Sequence, residues 1–116
     1  MKTFVLSLAL CFLITSVFAQ TINVPDFVQP DIKTFYTEYS NHLIKCIEAI
    51  REKNESKATA LFKAGEPMVA RSRIMEKKVI MNPVEKKKWM LFASQVYPYI
   101  KEMERSPYYQ KLYGKK

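Results

Sequence analysis

Apolar residues recur at alternating intervals of three and four over most of the chain beyond residue 30, the spacing that lets a helix bury one face. The first such segment predicts a helix from about Pro30 to Lys53. Pro30 suits the first helical position, and Asp31 complements the helix dipole in the first turn. Its apolar stripe, which predicts a core-facing surface along the whole helix, comprises Ile32, Phe35, Tyr36, Tyr39, Leu43, Cys46, Ile47 and Ile50.

A second stripe predicts a helix from about Ser56 to Ile80, but Pro67 lies inside it. This stripe comprises Ala58, Leu61, Phe62, Gly65, Met68, Val69, Ser72, Met75 and Val79. Proline lacks an amide proton, and its ring clashes with the carbonyl four residues earlier, here that of Lys63. The segment must therefore either kink near residues 63–66 or divide into two helices. We favour one kinked helix because the stripe keeps its phase across the proline. Gly65 falls on the apolar face, which indicates a close approach to a neighbouring helix.

The third helix has the clearest start signal in the sequence. Asn82 can cap the helix and Pro83 suits its first position. Glu85, at the third position, completes a capping-box pattern in which the acidic side chain bonds back to the cap residue. Pro98 is expected to bend this helix. Its stripe continues through Trp89, Phe92, Ala93, Val96, Ile100 and Met103.

A short fourth helix is predicted to begin at Ser106–Pro107 and to end at Gly114. Because the connections are short, successive helices are expected to be antiparallel neighbours. The predicted fold class is all-α, an antiparallel three-helix up-down-up bundle with a short C-terminal fourth helix, over residues 30–114. Residues 20–29 are predicted to form an N-terminal arm, and residues 115–116 are predicted to form a frayed tail.

Residues 1–19 have the three parts of a secretory signal peptide. Lys2 supplies the charged start, and Phe4–Ile14 form an uncharged apolar stretch. Val17 and Ala19 then occupy the −3 and −1 positions of a cleavage site before Gln20. We predict cleavage after Ala19, and therefore a secreted or periplasmic protein with no stable membrane span. An uncleaved membrane anchor and a lipoprotein processed at Cys11 are the alternatives.

No motif for catalysis, phosphate binding or a cofactor is present in the sequence. The single histidine, His42, stands four residues before Cys46 on the first helix, so the two side chains are neighbours. Two ligands are too few for a metal site, and a cysteine in an apolar stripe usually packs as a small hydrophobe. A metal or redox role and an intermolecular disulfide stay open as alternatives. The sequence predicts a non-enzymatic protein with no metal and no cofactor.

The chain is strongly basic, with 19 lysine and arginine residues against 11 acidic ones and a formal net charge of +8 at pH 7. The densest group of cations lies at the turn between the second and third predicted helices: Arg71, Arg73, Lys77, Lys78, Lys86, Lys87 and Lys88. Only Glu76 and Glu85 offset this basic cluster. Such a cluster can bind the phosphates of lipopolysaccharide, anionic lipid or nucleic acid. A run of charge is, however, more often an ordinary solvated surface.

Aromatic side chains at helical spacing are expected to pack in the core, and the surplus of tyrosines can also line an apolar groove between helices. The leading hypothesis is a small exported helical-bundle protein without catalytic activity that works by binding, with its partner, an unknown protein or an anionic surface, not identified by the sequence. Binding of an anionic surface through the basic cluster is one alternative, and carriage of an apolar small ligand is the other.

Overall fold

The computed structural model describes residues 22–114, and within that range it is all-helical, with 83% of the residues in five helices and none in strands. The prediction of an all-α fold is therefore confirmed. The predicted signal peptide, residues 20–21 of the predicted arm, and the predicted tail, residues 115–116, lie outside the described residues. The helices are α1 Pro30–Arg51, α2 Glu55–Ala64, α3 Glu66–Ile80, α4 Pro83–Arg105 and α5 Pro107–Tyr113.

Helix α1 ends at Arg51, two residues before the predicted end, in a turn that needs a left-handed residue. Lys53 takes that role, with a φ of 60°. Its amide donates to the carbonyl of Ile50 at 3.0 Å, and the amide of Asn54 donates to the carbonyl of Ala49 at 3.0 Å. This pair of bonds is the Schellman arrangement, whose left-handed position glycine usually occupies because a Cβ strains it.

The predicted single kinked helix over residues 56–80 is wrong, because the chain divides there into α2 and α3. Gly65 ends the first and caps the second. Pro67 has no amide to continue the α-helical ladder, and the turns on either side tighten. The amide of Gly65 is shared between the carbonyls of Leu61 and Phe62, at 3.0 and 3.2 Å, and the amide of Met68 donates to the carbonyl of Gly65. The less favoured alternative, a break, is the one observed.

Helix α4 begins where the sequence predicts, but Glu85 does not complete the capping box. The Asn82 side chain accepts hydrogen bonds from the amides of Val84 and Glu85. The Glu85 side chain is buried and turns to the N-terminal arm instead, where its Oε1 accepts from the amide of Val28 at 2.7 Å. The helix continues through Pro98 to Arg105.

The core has two parts that share α1, which packs against α2, α3 and α4. The larger part joins the arm, α1, α3 and α4 through Phe27, Ile32, Phe35, Tyr36, Leu43, Val79, Phe92 and Val96. The smaller part joins α1 to α2 through Cys46, Ala49, Ala58 and Phe62, and α5 covers it with Tyr108, Tyr109 and Leu112. The predicted stripe of α1 is therefore the centre of the fold.

Candidate ligand-binding site

A cavity of about 320 Å³ lies where the two parts of the core meet, beside the break between α2 and α3. All five helices contribute to its wall, together with the glycine at the break. Its lining residues, most of them apolar or aromatic, are Tyr39, His42, Leu43, Cys46, Phe62, Gly65, Glu66, Met68, Val69, Met103, Tyr109 and Tyr113. We call this space the central cavity.

The wall of the central cavity depends on a close contact between Gly65 and His42. The His42 Nε2 atom lies 2.7 Å from the carbonyl oxygen of Leu61. A carbonyl only accepts, so Nε2 carries the proton and donates. A Cβ atom at residue 65 would lie 2.8 Å from that same nitrogen, closer than real Cβ atoms approach. The absence of a side chain at Gly65 thus lets α1 bond to the end of α2.

Cys46 faces the central cavity as a protonated thiol. The residue is buried, and burial raises the pKa of the thiol to about 11. A thiol with so high a pKa is a poor nucleophile at neutral pH, because only the thiolate reacts readily. His42, its neighbour one turn earlier, uses its Nε2 proton for the Leu61 carbonyl. The geometry of the pair favours packing over redox chemistry.

A hydrogen bond between α3 and α5 lies at the edge of the central cavity. The Tyr113 hydroxyl donates to Oε2 of Glu66. The pKa of Tyr113 is raised to about 12, mainly by burial and secondly by the hydrogen bond and the charge of Glu66. The hydroxyl therefore keeps its proton at neutral pH. Among the described residues of the wall, Glu66 is the only acidic one, and none is a lysine or arginine. A chain with a net charge of +8 therefore presents a negative group to its cavity.

Val69 differs from its predicted position. The sequence places it on the buried stripe of the second helix, but it is 55% exposed and lies at the edge of the central cavity. The other predicted stripe residues of this helix, Met68, Met75 and Val79, do pack in the larger part of the core. Val69 therefore lies at the edge of the buried face of α3 rather than within it.

The structure divides the predicted basic cluster into cations held by contacts with other residues and free cations. Arg71 lies over the ring of Phe35, with 5.0 Å from its guanidinium carbon to the ring centroid. Lys78 pairs with Asp31 at 3.0 Å. Lys88 donates to the backbone carbonyl of Asp26 at 2.8 Å and lies 3.4 Å from Oε2 of Glu85. These three side chains serve the fold of the arm, α1, α3 and α4.

The other four cations of the cluster are exposed, and none forms an ion pair with another residue of the described chain: Arg73, Lys77, Lys86 and Lys87. Between them, at the turn from α3 to α4, lie three exposed aliphatic residues. Ile80, Met81 and Val84 are 45%, 84% and 65% exposed. The signal for this feature was in the sequence, since these residues fall off the apolar stripes at the basic turn.

Within residues 22–114, no group of three or more histidine, cysteine or acidic side chains is placed to hold a metal ion. None of the helices in that range combines the length and the apolar character that crossing a bilayer requires. Comparison of the chain with protein-family models, with curated proteins and with solved structures gave no match.

Proposed function

We propose that this protein is a non-catalytic carrier that binds a small apolar ligand in the central cavity. The observation that supports this is the cavity itself, whose volume of about 320 Å³ falls at the lower end of the range of small-molecule sites, about 300–1,000 Å³. Such sites are mostly apolar with a few polar groups that orient the ligand. Here those polar groups are His42, Glu66 and the tyrosine hydroxyls.

The charge of the wall favours a ligand with a neutral or cationic head group. Glu66 lines the mouth, and only one of its oxygens accepts the Tyr113 hydroxyl. Its other oxygen is available to an amine or a hydroxyl, while a carboxylate would be repelled without a cation nearby to compensate. An aliphatic amine or alcohol therefore fits this wall better than a fatty acid.

The test of the cavity uses one blocking variant and one matched control on the same helix. Val69→Trp places an indole at the edge of the cavity, whereas Ile74→Trp places one on an exposed site of α3 outside it. Titration with the neutral apolar dye N-phenyl-1-naphthylamine should give a Kd at least tenfold higher for V69W than for the unmodified protein. I74W should bind as the unmodified protein does. Equal affinities for both variants would refute the cavity as the binding site.

The test of the head group is displacement of the dye by three ligands with the same chain. Dodecylamine and dodecanol should displace it at concentrations at least tenfold below that of dodecanoate. Glu66→Gln should reduce the difference between the concentrations at which dodecylamine and dodecanoate displace the dye. The substitution removes the negative charge but keeps the size of the side chain. Unchanged selectivity in this variant would mean that Glu66 does not choose the ligand.

We further propose that the chain is exported and that its long helical segments follow an up-down-up course. The first proposal is supported by the composition of residues 1–19. The second is supported by the short connections between α1 and α2 and between α3 and α4. The proposal of export is tested by N-terminal sequencing of the protein recovered outside the cytoplasm. An N-terminus at Gln20 is expected.

A further inference from the structure

The turn between α3 and α4 exposes aliphatic side chains that the fold does not use. Ile80, Met81 and Val84, which we call the apolar apex, lie within five consecutive residues and are each at least 45% exposed. The arm adds Val28, which is exposed and whose amide is bonded to Glu85 in the first turn of α4. Single exposed aliphatic residues are ordinary, but several together at one turn mark an interaction site.

Free cations border the apolar apex on both helices. Lys77 stands four residues before Met81 on α3, and Lys87 stands three residues after Val84 on α4, so each shares a helical face with an apex residue. Arg73 and Lys86 add two further exposed cations. Glu76 is the one exposed acidic residue between positions 71 and 88, because Glu85 is buried beside Lys88.

We propose that the apolar apex and its free cations form a docking site for an anionic lipid bilayer. Apolar side chains enter the boundary between head groups and acyl chains, while lysines attract the anionic head groups, and this combination is typical of interfacial membrane binding. The proposal rests on a different part of the molecule from the central cavity and does not depend on it.

The residue types favour a bilayer over the other partners of basic surfaces. A nucleic acid uses the cations but leaves aliphatic side chains at the apex without a function, because its outer surface is phosphate. Protein interfaces are depleted in lysine and draw their binding energy from Trp, Tyr and Arg. The site has Lys77, Lys86 and Lys87 around aliphatic side chains, with no aromatic residue in the apex. Lipid head groups match diffuse lysine charge without needing paired geometry.

The experiment measures binding of the exported protein to vesicles by co-sedimentation. Vesicles of phosphatidylcholine with 30% phosphatidylglycerol should bind it at least tenfold more tightly than vesicles of phosphatidylcholine alone. Each lysine near an anionic surface contributes about fivefold in affinity, so the double variant Lys86→Gln/Lys87→Gln should weaken the binding about 25-fold. Met81→Ser should weaken it about tenfold at unchanged charge, because it removes one aliphatic anchor.

Matched controls separate a site from general attraction to a basic protein. Lys45→Gln/Lys63→Gln removes the same charge from exposed positions on α1 and α2, and Tyr97→Ser removes an exposed apolar side chain further along α4. Both controls should change vesicle binding less than threefold. Far-ultraviolet circular dichroism should show that every variant keeps the helix content of the unmodified protein.

Three results would overturn the proposal. Equal losses of vesicle binding in the variants of the apolar apex and its free cations and in the control variants would show attraction by net charge alone. Equal binding to both kinds of vesicle would exclude recognition of anionic lipid. Binding to a 20-base-pair DNA duplex more tightly than to anionic vesicles, with no effect of M81S on either, would identify a phosphate-binding surface without a membrane role.

Discussion

Glu85 is expected to hold the N-terminal arm to the helices, so its replacement should destabilise the arm first. Its side chain is 3% exposed, its Oε1 accepts from the Val28 amide at 2.7 Å, and its Oε2 lies 3.4 Å from the Lys88 ammonium without forming a hydrogen bond. Phe27, the neighbour of Val28, is buried in the larger part of the core. Loss of the Glu85 side chain therefore affects mainly the N-terminal arm, whose backbone it binds at Val28.

We expect Glu85→Ala to lower the free energy of unfolding by about 2–3 kcal/mol. A hydrogen bond to a charged group contributes about 1.5–3 kcal/mol, and the variant leaves the Val28 amide without an acceptor. The larger cost of breaking a buried ion pair, about 3–5 kcal/mol, does not apply. The Lys88 side chain is 33% exposed and keeps its bond to the Asp26 carbonyl, so its charge stays hydrated.

Two matched variants separate the hydrogen bond from the charge. Glu85→Gln keeps an acceptor for the Val28 amide and should cost about 1 kcal/mol, since only the charge is lost. Glu76→Ala removes an exposed carboxylate and should change stability by less than about 0.5 kcal/mol.

The assay combines urea unfolding with amide hydrogen exchange. Urea unfolding followed by circular dichroism gives the free energies, and exchange at the Val28 amide reports the arm directly. In E85A this amide should exchange at least tenfold faster than in the unmodified protein. A destabilisation of less than about 0.5 kcal/mol in E85A, or unchanged protection of the Val28 amide, would show that Glu85 does not hold the arm.

Three further predictions concern single residues. Lys53→Gly should raise the free energy of unfolding by about 1 kcal/mol in urea titration, because glycine adopts the φ of 60° without the strain of a Cβ. Cys46 should react with iodoacetamide at pH 8 about 100-fold more slowly than a free cysteine peptide, because burial raises its thiol pKa to about 11; equal rates would contradict the buried position. The hydrogen bond and the charge of Arg51 lower the pKa of Glu102 in the folded protein. This pair therefore stabilises the fold fully above the ordinary carboxyl pKa of 4.5. The stabilisation is lost as the pH falls through the lower pKa that Glu102 has in the folded protein. Arg51→Ala should therefore cost about 0.5 kcal/mol at pH 7, a value discounted for the exposure of the pair, and nothing measurable near pH 2.

Helix starts were the most predictable part of the fold, because their signals lie within a few residues of one another. Asn82 caps α4 through the amides of Val84 and Glu85, and Ser106 caps α5 through the amide of Tyr108, both as the sequence predicts. The start of α1 at Pro30 is also confirmed, although Gln29 before it forms no side-chain capping hydrogen bond. A cap depends on local backbone geometry, so no knowledge of the distant chain is needed.

Other features were visible as residue types but not as contacts. Gly65 lay on an apolar face and so indicated a close approach. Only the packed structure shows that His42 is the side chain that lies against it. Pro67 indicated a disturbance, and the choice between a kink and a break depended on hydrogen bonds in the turns around it. The basic cluster was plain in the sequence, but its division into held and free cations required their partners.

By itself, the sequence determined the all-α class, the starts of α1, α4 and α5, the stripe of α1 and the basic character of the α3–α4 turn. These follow from periodicity, caps and charge, which act over a few residues along the chain. The tertiary structure alone decided the partner of Glu85, which lies 57 residues away at Val28, the bond between His42 and Leu61, and the central cavity. Contacts between distant residues depend on how helices dock, and docking is set by the shapes of all the packed side chains together rather than by any local pattern.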